Sequence, residues 1–321
     1  MAAPPRFHGV LVIDKPIGPT SHDVVARLRK VLGTRAIGHA GTLDPAASGV
    51  LVVAVGEATK LSAYLTAEAK QYRATVAFGT STATLDAEGT VTASGSIPDD
   101  VAAELHALSM AGRDPPEERG ALARALDIER ARHEQLPPVY SAIKTSGRPA
   151  HELARRGQEV VLALRPVRVS RLEITETTPA TLGLFLAVSK GYYVRALARD
   201  LGLTLGVPAH LSSLRRVASG SFTLEEALPW SASPAELERA LLGIERAAAR
   251  VLPASRLSQD GQRRARHGQV LSEADFAEPP VAAPSAWFGP AGHLVAIGRR
   301  TESGGFQVER GFDYATSIDS T

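Results

Sequence analysis

Two short runs of unbroken apolar residues constrain this chain more than any other feature. Gly9-Val-Leu-Val-Ile-Asp14 and Gly49-Val-Leu-Val-Val-Ala-Val-Gly56 are rich in β-branched residues and bounded by turn residues. They are too short for helices, so both read as buried strands. Lys15-Pro16 and Gly18-Pro19 end the first run, because proline cannot continue a sheet ladder and glycine permits the turn. Thr20-Ser-His-Asp23 then has the spacing of a capping box, with Asp in place of Glu. Val24, Val25, Leu28, Val31 and Leu32 follow at helical spacing, and Gly33 supplies the stop.

The later pattern mixes both periods. Glu57 to Thr66 predicts a short amphipathic helix, and alternation from Gln71 to Phe78 places Tyr72, Ala74, Val76 and Phe78 on one strand face. Asp86 to Gly89 reads as a turn, and residues 99–134 as mostly helical with a charged, Pro-rich break near Arg113 to Arg119. Pro137 and Pro138 keep the next stretch irregular, to Lys144. A helix is expected from about Ala150 to Arg156, strands over 167–175 and 182–188, and a helix from Tyr193 to Leu205. Beyond roughly Pro253, short strands such as His293 to Ile297 and Phe306 to Val308 predict a small β-rich domain. Strands and helices follow no regular βα beat, which predicts an α+β protein of two domains, 1–252 and 253–321.

Cysteine is absent, which excludes disulfides and thiolate chemistry and suits the cytoplasm. No apolar run reaches the roughly 18 residues of a membrane span. The opening MAAPPRFHGVLVIDKP lacks a signal-peptide layout, so cytoplasmic localisation is expected. The net charge is only +2, but Lys144 to Gly220 holds twelve Lys/Arg against five Asp/Glu. That basic middle suggests a polyanionic partner. Arg outnumbers Lys thirty to six, so genome composition offers a second explanation.

Several familiar chemistries lack their motifs. Gly33-Thr-Arg-Ala-Ile-Gly38 has phosphate-loop glycine spacing, but His39-Ala40 stands where Lys and Ser/Thr would hold phosphate and magnesium. There is no dinucleotide glycine fingerprint, no nucleophile elbow and no zinc-binding histidine pair. What remains is the glycine-rich loop Gly38-His-Ala-Gly-Thr-Leu-Asp-Pro-Ala-Ala-Ser-Gly49, carrying one His and one Asp between rigid elements. Taken by itself, an Asp before Pro forms a turn more often than it catalyses.

Gly38-His-Ala-Gly-Thr-Leu-Asp-Pro45 closely resembles the G-H-x-G-x-L-D-P signature of the TruB-type tRNA pseudouridine-55 synthases. Further blocks resemble that family in its own order: Gly9 to Pro16 with Thr20 to Asp23, Gly56-Glu-Ala-Thr-Lys60, Lys70-Gln-Tyr-Arg73, Pro137 to Lys144, Ser189 to Arg195, and His210 to Arg216. The resemblance implies a pseudouridine synthase fold with a mixed, mainly antiparallel sheet, and no cofactor. It also implies an RNA-gripping insertion at about 135–158. More faintly, Arg266 to Val270 and Gly289 to Gly298 resemble a PUA-like RNA-binding domain. The implied partner is the T-arm of tRNA, with no obligate protein partner.

Residue by residue, the resemblance implies that Asp44 is the catalytic carboxylate and that Arg195 pairs with it and aims it. Tyr72 would stack on the target base, and Tyr193 would line the pocket. His39 would contact RNA, Leu214 would form an apolar wall, and Lys15, grouped with the substrate-binding residues, would support the active-site strands. Without the resemblance, Tyr72 reads as a core tyrosine beside Val76 and Phe78, Arg195 as a solvated first-turn arginine, and Leu214 as a core leucine. The carboxylate could attack the ribose carbon or deprotonate the sugar, and the sequence does not choose. Thr82-Ala83-Thr84 lacks the acid that family members often carry there, so that role is absent or has passed to Asp86. The stretch 112–133 matches poorly, and His151 stands at a position often aromatic in the family. Two rival readings are an RNA-folding protein of the same fold and a synthase for a different RNA. A third, an Asp/His hydrolase, lacks a second base and an oxyanion-hole motif.

Overall fold

The computed structural model describes residues 7–111, 120–141, 143–145, 148–158 and 160–314. The two apolar runs become β1 (Gly9–Lys15) and β3 (Ala47–Val55), which pair antiparallel through seven residues. Val10 to Ile13 and Val50 to Val55 are apolar without a break because both faces are covered. Leu11, Ile13, Leu51, Val53 and Val55 enter one core, and Val10, Val12, Val50, Val52 and Ala54 enter another. Between them lie α1 (Ser21–Val31) and β2 (Ile37–Ala40). The Thr20 capping box forms in full, and Gly33 follows the helix at φ +63°.

Among the described residues the main sheet has ten strands. Its spine runs β5 (Val169–Thr178), β6 (Thr181–Val188), β4 (Lys70–Phe78), β7 (Ala209–Ser219), β3, β1. All neighbours on that spine are antiparallel except β7 and β3, which run parallel, so the sheet is mixed and mainly antiparallel. In β4 burial alternates as expected, with Tyr72, Ala74, Val76 and Phe78 inward. Helices α2 (Asp99–Ala111), α3 (Ala121–Arg130) and α4 (Val194–Leu205) pack on the face that holds Leu105, Leu126 and Leu197. A second sheet of five strands follows: β8 (Ala254–Leu257), β9 (Phe276–Glu278), β10 (Ser285–Phe288), β11 (Leu294–Arg300) and β12 (Phe306–Gly311). Ala286, Leu294, Ile297 and Phe312 share a core with β1 and β3. None of the described helices is long and apolar enough to cross a membrane.

Two local expectations are corrected. The single helix expected over 57–66 is a 3-10 turn, Gly56–Leu61, followed by a short α-helix, Ser62–Ala67. Thr59 Oγ1 donates to Gly56 O at 2.8 Å and Ser62 Oγ to Thr59 O at 2.7 Å, and such i−3 side-chain bonds tighten the turn. The long strand β7 has no counterpart in the sequence reading. Its pairing with β4 slips between Leu211 and Ser213 and again between Arg216 and Ala218, and bulges of this kind erase period-two alternation. The poorly matching stretch falls partly on 112–119, outside the described residues, as does part of the expected insertion at 142, 146 and 147.

Candidate active site

The loop between β2 and β3 carries Asp44, and three separate elements hold its backbone. From α1, Ser21 Oγ accepts from Leu43 N at 2.9 Å and donates to Leu43 O at 3.0 Å. From β1, Lys15 Nζ donates to Pro16 O and Pro19 O at 2.8 Å and reaches Pro45 O at 3.5 Å. From β7, Arg216 donates to Val50 O, Thr42 O and Gly41 O at 2.7, 3.3 and 2.9 Å. Gly49 permits the close approach of β7: it sits at φ +105°, and a Cβ there would lie 2.1 Å from Arg216 O. A carboxylate on a loop tied at so many points has a fixed direction.

Arg195, in the first turn of α4, meets that carboxylate. Its Nε lies 2.9 Å from Asp44 Oδ2 and 3.7 Å from Asp86 Oδ2. Its Nη1 donates to Thr84 O and its Nη2 to Tyr140 O, both at 2.9 Å. The guanidinium side chain is only 7% exposed, whereas the Asp44 side chain is 39% exposed. The geometry therefore fixes the arginine and presents the carboxylate. Asp86 accepts from Thr84 Oγ1 and Glu88 N. It is Asp86, two residues past the Thr82-Ala83-Thr84 triplet, that stands beside Arg195.

Asp44 and Arg195 line a cavity of about 310 Å³ together with Tyr72, Tyr193, Leu214 and Lys70. Burial pushes the Tyr193 phenol up, so it remains an O–H donor over a wide pH range. Arg216 also reaches the lining, and is nearly inaccessible. Lys70 donates to Thr66 O at 2.6 Å and to Glu68 O. Burial first, and the Arg216 charge second, bring the Lys70 ammonium down to about 8. The cavity thus combines one presented carboxylate, the rings of Tyr72, Tyr192 and Tyr193, an apolar wall and buried positive charge. That inventory suits a flat, polar heterocycle on a polyanionic chain.

The structure brings Asp44, Arg195, Tyr72, Tyr193 and Leu214 around one cavity. Tyr72 is a core residue and a lining residue at once, packed in the main core at 9% exposure. Leu214 likewise packs against the core while facing the cavity. Arg195 is buried rather than solvated. Lys15 is not on the substrate side. It is wholly buried, lies outside the cavity lining and holds the Pro45 end of the Asp44 loop. Burial lowers its ammonium, an effect partly opposed by the Asp44 charge. His39 also lies outside the lining, edge-on to His22 with ring centroids 5.2 Å apart. Burial and the neighbouring His22 and Arg216 charges lower its imidazole.

Two further residues, each inside a motif block to which no role attaches, prove central: Lys70 and Arg216. The signal was their position. Lys70 continues the inward face of β4 by two-residue spacing from Tyr72, so its burial was readable. Arg216 gave no such sign, because the bulge beside it alters the facing.

A profile described as "TruB family pseudouridylate synthase (N terminal domain)" matches residues 29–194. One described as "tRNA pseudouridylate synthase B C-terminal domain" matches residues 195–248. A "tRNA pseudouridine synthase B" of Rhodococcus jostii is 42% identical over 309 residues, covering 92% of each chain. Another from an Arthrobacter species is 39% identical over 308 residues, covering 93% of this chain and 94% of that one. Among solved structures, a chain of a Cbf5-Nop10-Gar1 complex superposes with a TM-score of 0.67 at 26% identity, covering 94% of this chain and 84% of that one. With the profile spanning the Asp44 loop and relatives alike along nine-tenths of its length, the chain belongs to the TruB family of pseudouridylate synthases.

Proposed function

We propose that this chain converts uridine 55 in the T-loop of tRNA to pseudouridine, with Asp44 as the catalytic carboxylate. The observation that carries the reading is the Asp44–Arg195 pair, a presented carboxylate aimed by a buried guanidinium at the wall of an aromatic-lined cavity. The names of the relatives, tRNA pseudouridine synthase B, support the substrate class.

The reaction breaks the N1–C1′ bond, turns the detached uracil and rejoins it through C5, whose proton leaves to solvent. It is an isomerisation and needs neither a redox partner nor a phosphate donor. Asp44 attacks C1′ or removes a proton from the sugar, and either path requires the carboxylate to face the ribose. A base inside a stacked loop is inaccessible, so the nucleotide must flip out, and stacking on Tyr72 repays part of that cost. Tyr193 and Leu214 close the cavity around the free uracil and keep water from the sugar carbon. His39, outside the cavity, contacts RNA beyond the target nucleotide. The segment 135–158 grips the loop, and the region 253–321 acts as a PUA-like RNA-binding domain.

The test is tritium release from tRNA labelled at uracil C5, comparing the wild type with Asp44→Asn and mapping the modified position. Release by the wild type alone, from the T-loop uridine, is the expected result. Equal release by both proteins would overturn the role of Asp44. Tight binding without release by either would favour an RNA-folding protein, and release from another position would favour a different RNA.

A further inference from the structure

The helix that carries Arg195 has no cap of its own. Its N-cap residue is Tyr193, whose side chain makes no capping hydrogen bond, so the direction of the first turn must be set from outside. Gln135 does this. Its side-chain Oε1 accepts from Tyr193 N at 2.8 Å, and its Nε2 donates to Tyr193 O at 3.1 Å. One amide thus pairs with both backbone groups of one residue, as a neighbouring strand would. Gln135 is only 1% exposed and is absent from the cavity lining, so it does not touch a substrate in that cavity.

The same stretch of chain meets α4 twice more. Leu136 O accepts from Arg199 Nη2 at 2.8 Å, and Tyr140 O accepts from Arg195 Nη2 at 2.9 Å. Residues 135–140 therefore grasp the backbone just before Arg195 and the far side of its guanidinium. Contacts placed there have one evident consequence, since Arg195 Nε must reach Asp44 Oδ2 at 2.9 Å.

We infer that Gln135 is a positioning residue for the isomerisation: it holds the N-terminus of α4 so that Arg195 aims Asp44 at the sugar. This rests on the catalytic reading of Asp44 and Arg195. It also places the alignment of the active site at the root of the segment proposed to grip the RNA.

The experiment measures single-turnover tritium release at saturating protein, with tRNA affinity and melting temperature measured beside it. Gln135→Leu, about the same size and unable to pair, should slow the step about 10- to 100-fold, the usual cost of a misplaced catalytic group. Its affinity for tRNA should stay near the wild-type value. In an Arg195→Lys background the same change should cost a factor of about two or less, because a residue acting through Arg195 has little left to disturb. Equal losses in both backgrounds would overturn the inference, as would a wild-type rate in folded Gln135→Leu. If Gln135→Leu does not fold, Gln135→Glu takes its place. It keeps the acceptor for Tyr193 N and loses the donor to Tyr193 O, and the same non-additivity is expected. Asp44→Asn, run alongside, should be inactive whichever way Gln135 falls. Activity there would strike the catalytic assignment instead, and the inference with it.

Discussion

The two sheets of this protein treat charge in opposite ways. Around the ten-stranded sheet the described residues include Lys15, Lys70, Asp86, Glu129, Arg195 and Arg216, all buried. The five-stranded sheet closes over Phe276, Trp287 and Phe306, ring edges against ring faces. Its one buried charge among the described residues is Asp275, answered by both oxygens on Arg264 at 2.9 and 3.0 Å. Its arginines Arg256, Arg299 and Arg300 stand at the surface, paired with Glu278, Glu309 and Glu273. Burying long cations costs free energy unless every donor is met. The larger sheet bears that cost where its backbone must hold a loop and a helix to a common point. The smaller sheet carries no such demand and is built from apolar contact.

The contrast can be broken or sharpened by substitution. The largest effect should come from Asp44→Asn, with single-turnover release falling by about 10⁴-fold while melting temperature and tRNA affinity hold. Next is Trp287→Ala. It should lower unfolding free energy by about 3–5 kcal/mol, read by denaturant titration, with the rate of the folded enzyme unchanged. A collapse of that rate would show that the smaller sheet shapes the active site.

Arg216→Leu should cost about 2–3 kcal/mol, because three carbonyls lose their donor. Unlike Trp287→Ala, it should also slow turnover, since two of those carbonyls, Gly41 O and Thr42 O, lie in the Asp44 loop.

Lys70 should give a smaller, pH-dependent effect. The folded protein releases its proton near pH 8 and the unfolded chain near 10.5, so the unfolded state binds more protons in between. Stability should therefore rise with pH across that window, and the cost of burying the cation is fully present below it. Thermal melts of Lys70→Met should lack that rise. The smallest effect belongs to the surface. Changing Arg299 and Arg300 together to Gln should weaken tRNA binding by roughly threefold and barely alter the salt slope. A much steeper loss in a salt titration would make that sheet a principal RNA-binding face.

What could be read in advance was local in origin. The Thr20 capping box, the apolar runs of β1 and β3 and the alternation of β4 depend on neighbours within a few residues, and each formed as expected. The strand β7 was hidden because Ser212, Ser213, Arg215 and Arg216 interrupt its apolar pattern and two bulges shift its facing. The placement of Asp44 and Arg195 together was reached through a resemblance of motifs, since no local rule links a loop aspartate to a distant helix arginine. Lys15 shows the limit of that route. Its motif position was recognised, but only its complete burial beneath Pro45 revealed that it supports the loop from behind.

By itself, then, the sequence determined the strands β1, β3 and β4, the capped start of α1, which loop carries Asp44, and that the chain has no thiol. Those properties follow from side-chain period, capping chemistry and residue identity. Only the tertiary structure decided that Arg216 and Lys15 hold the loop, that Asp86 stands beside Arg195, and that Gln135 clamps the helix start. Each of these depends on a long side chain meeting backbone groups or charges from another element, and hydrogen bonds of that length exist only once the strands and helices have packed.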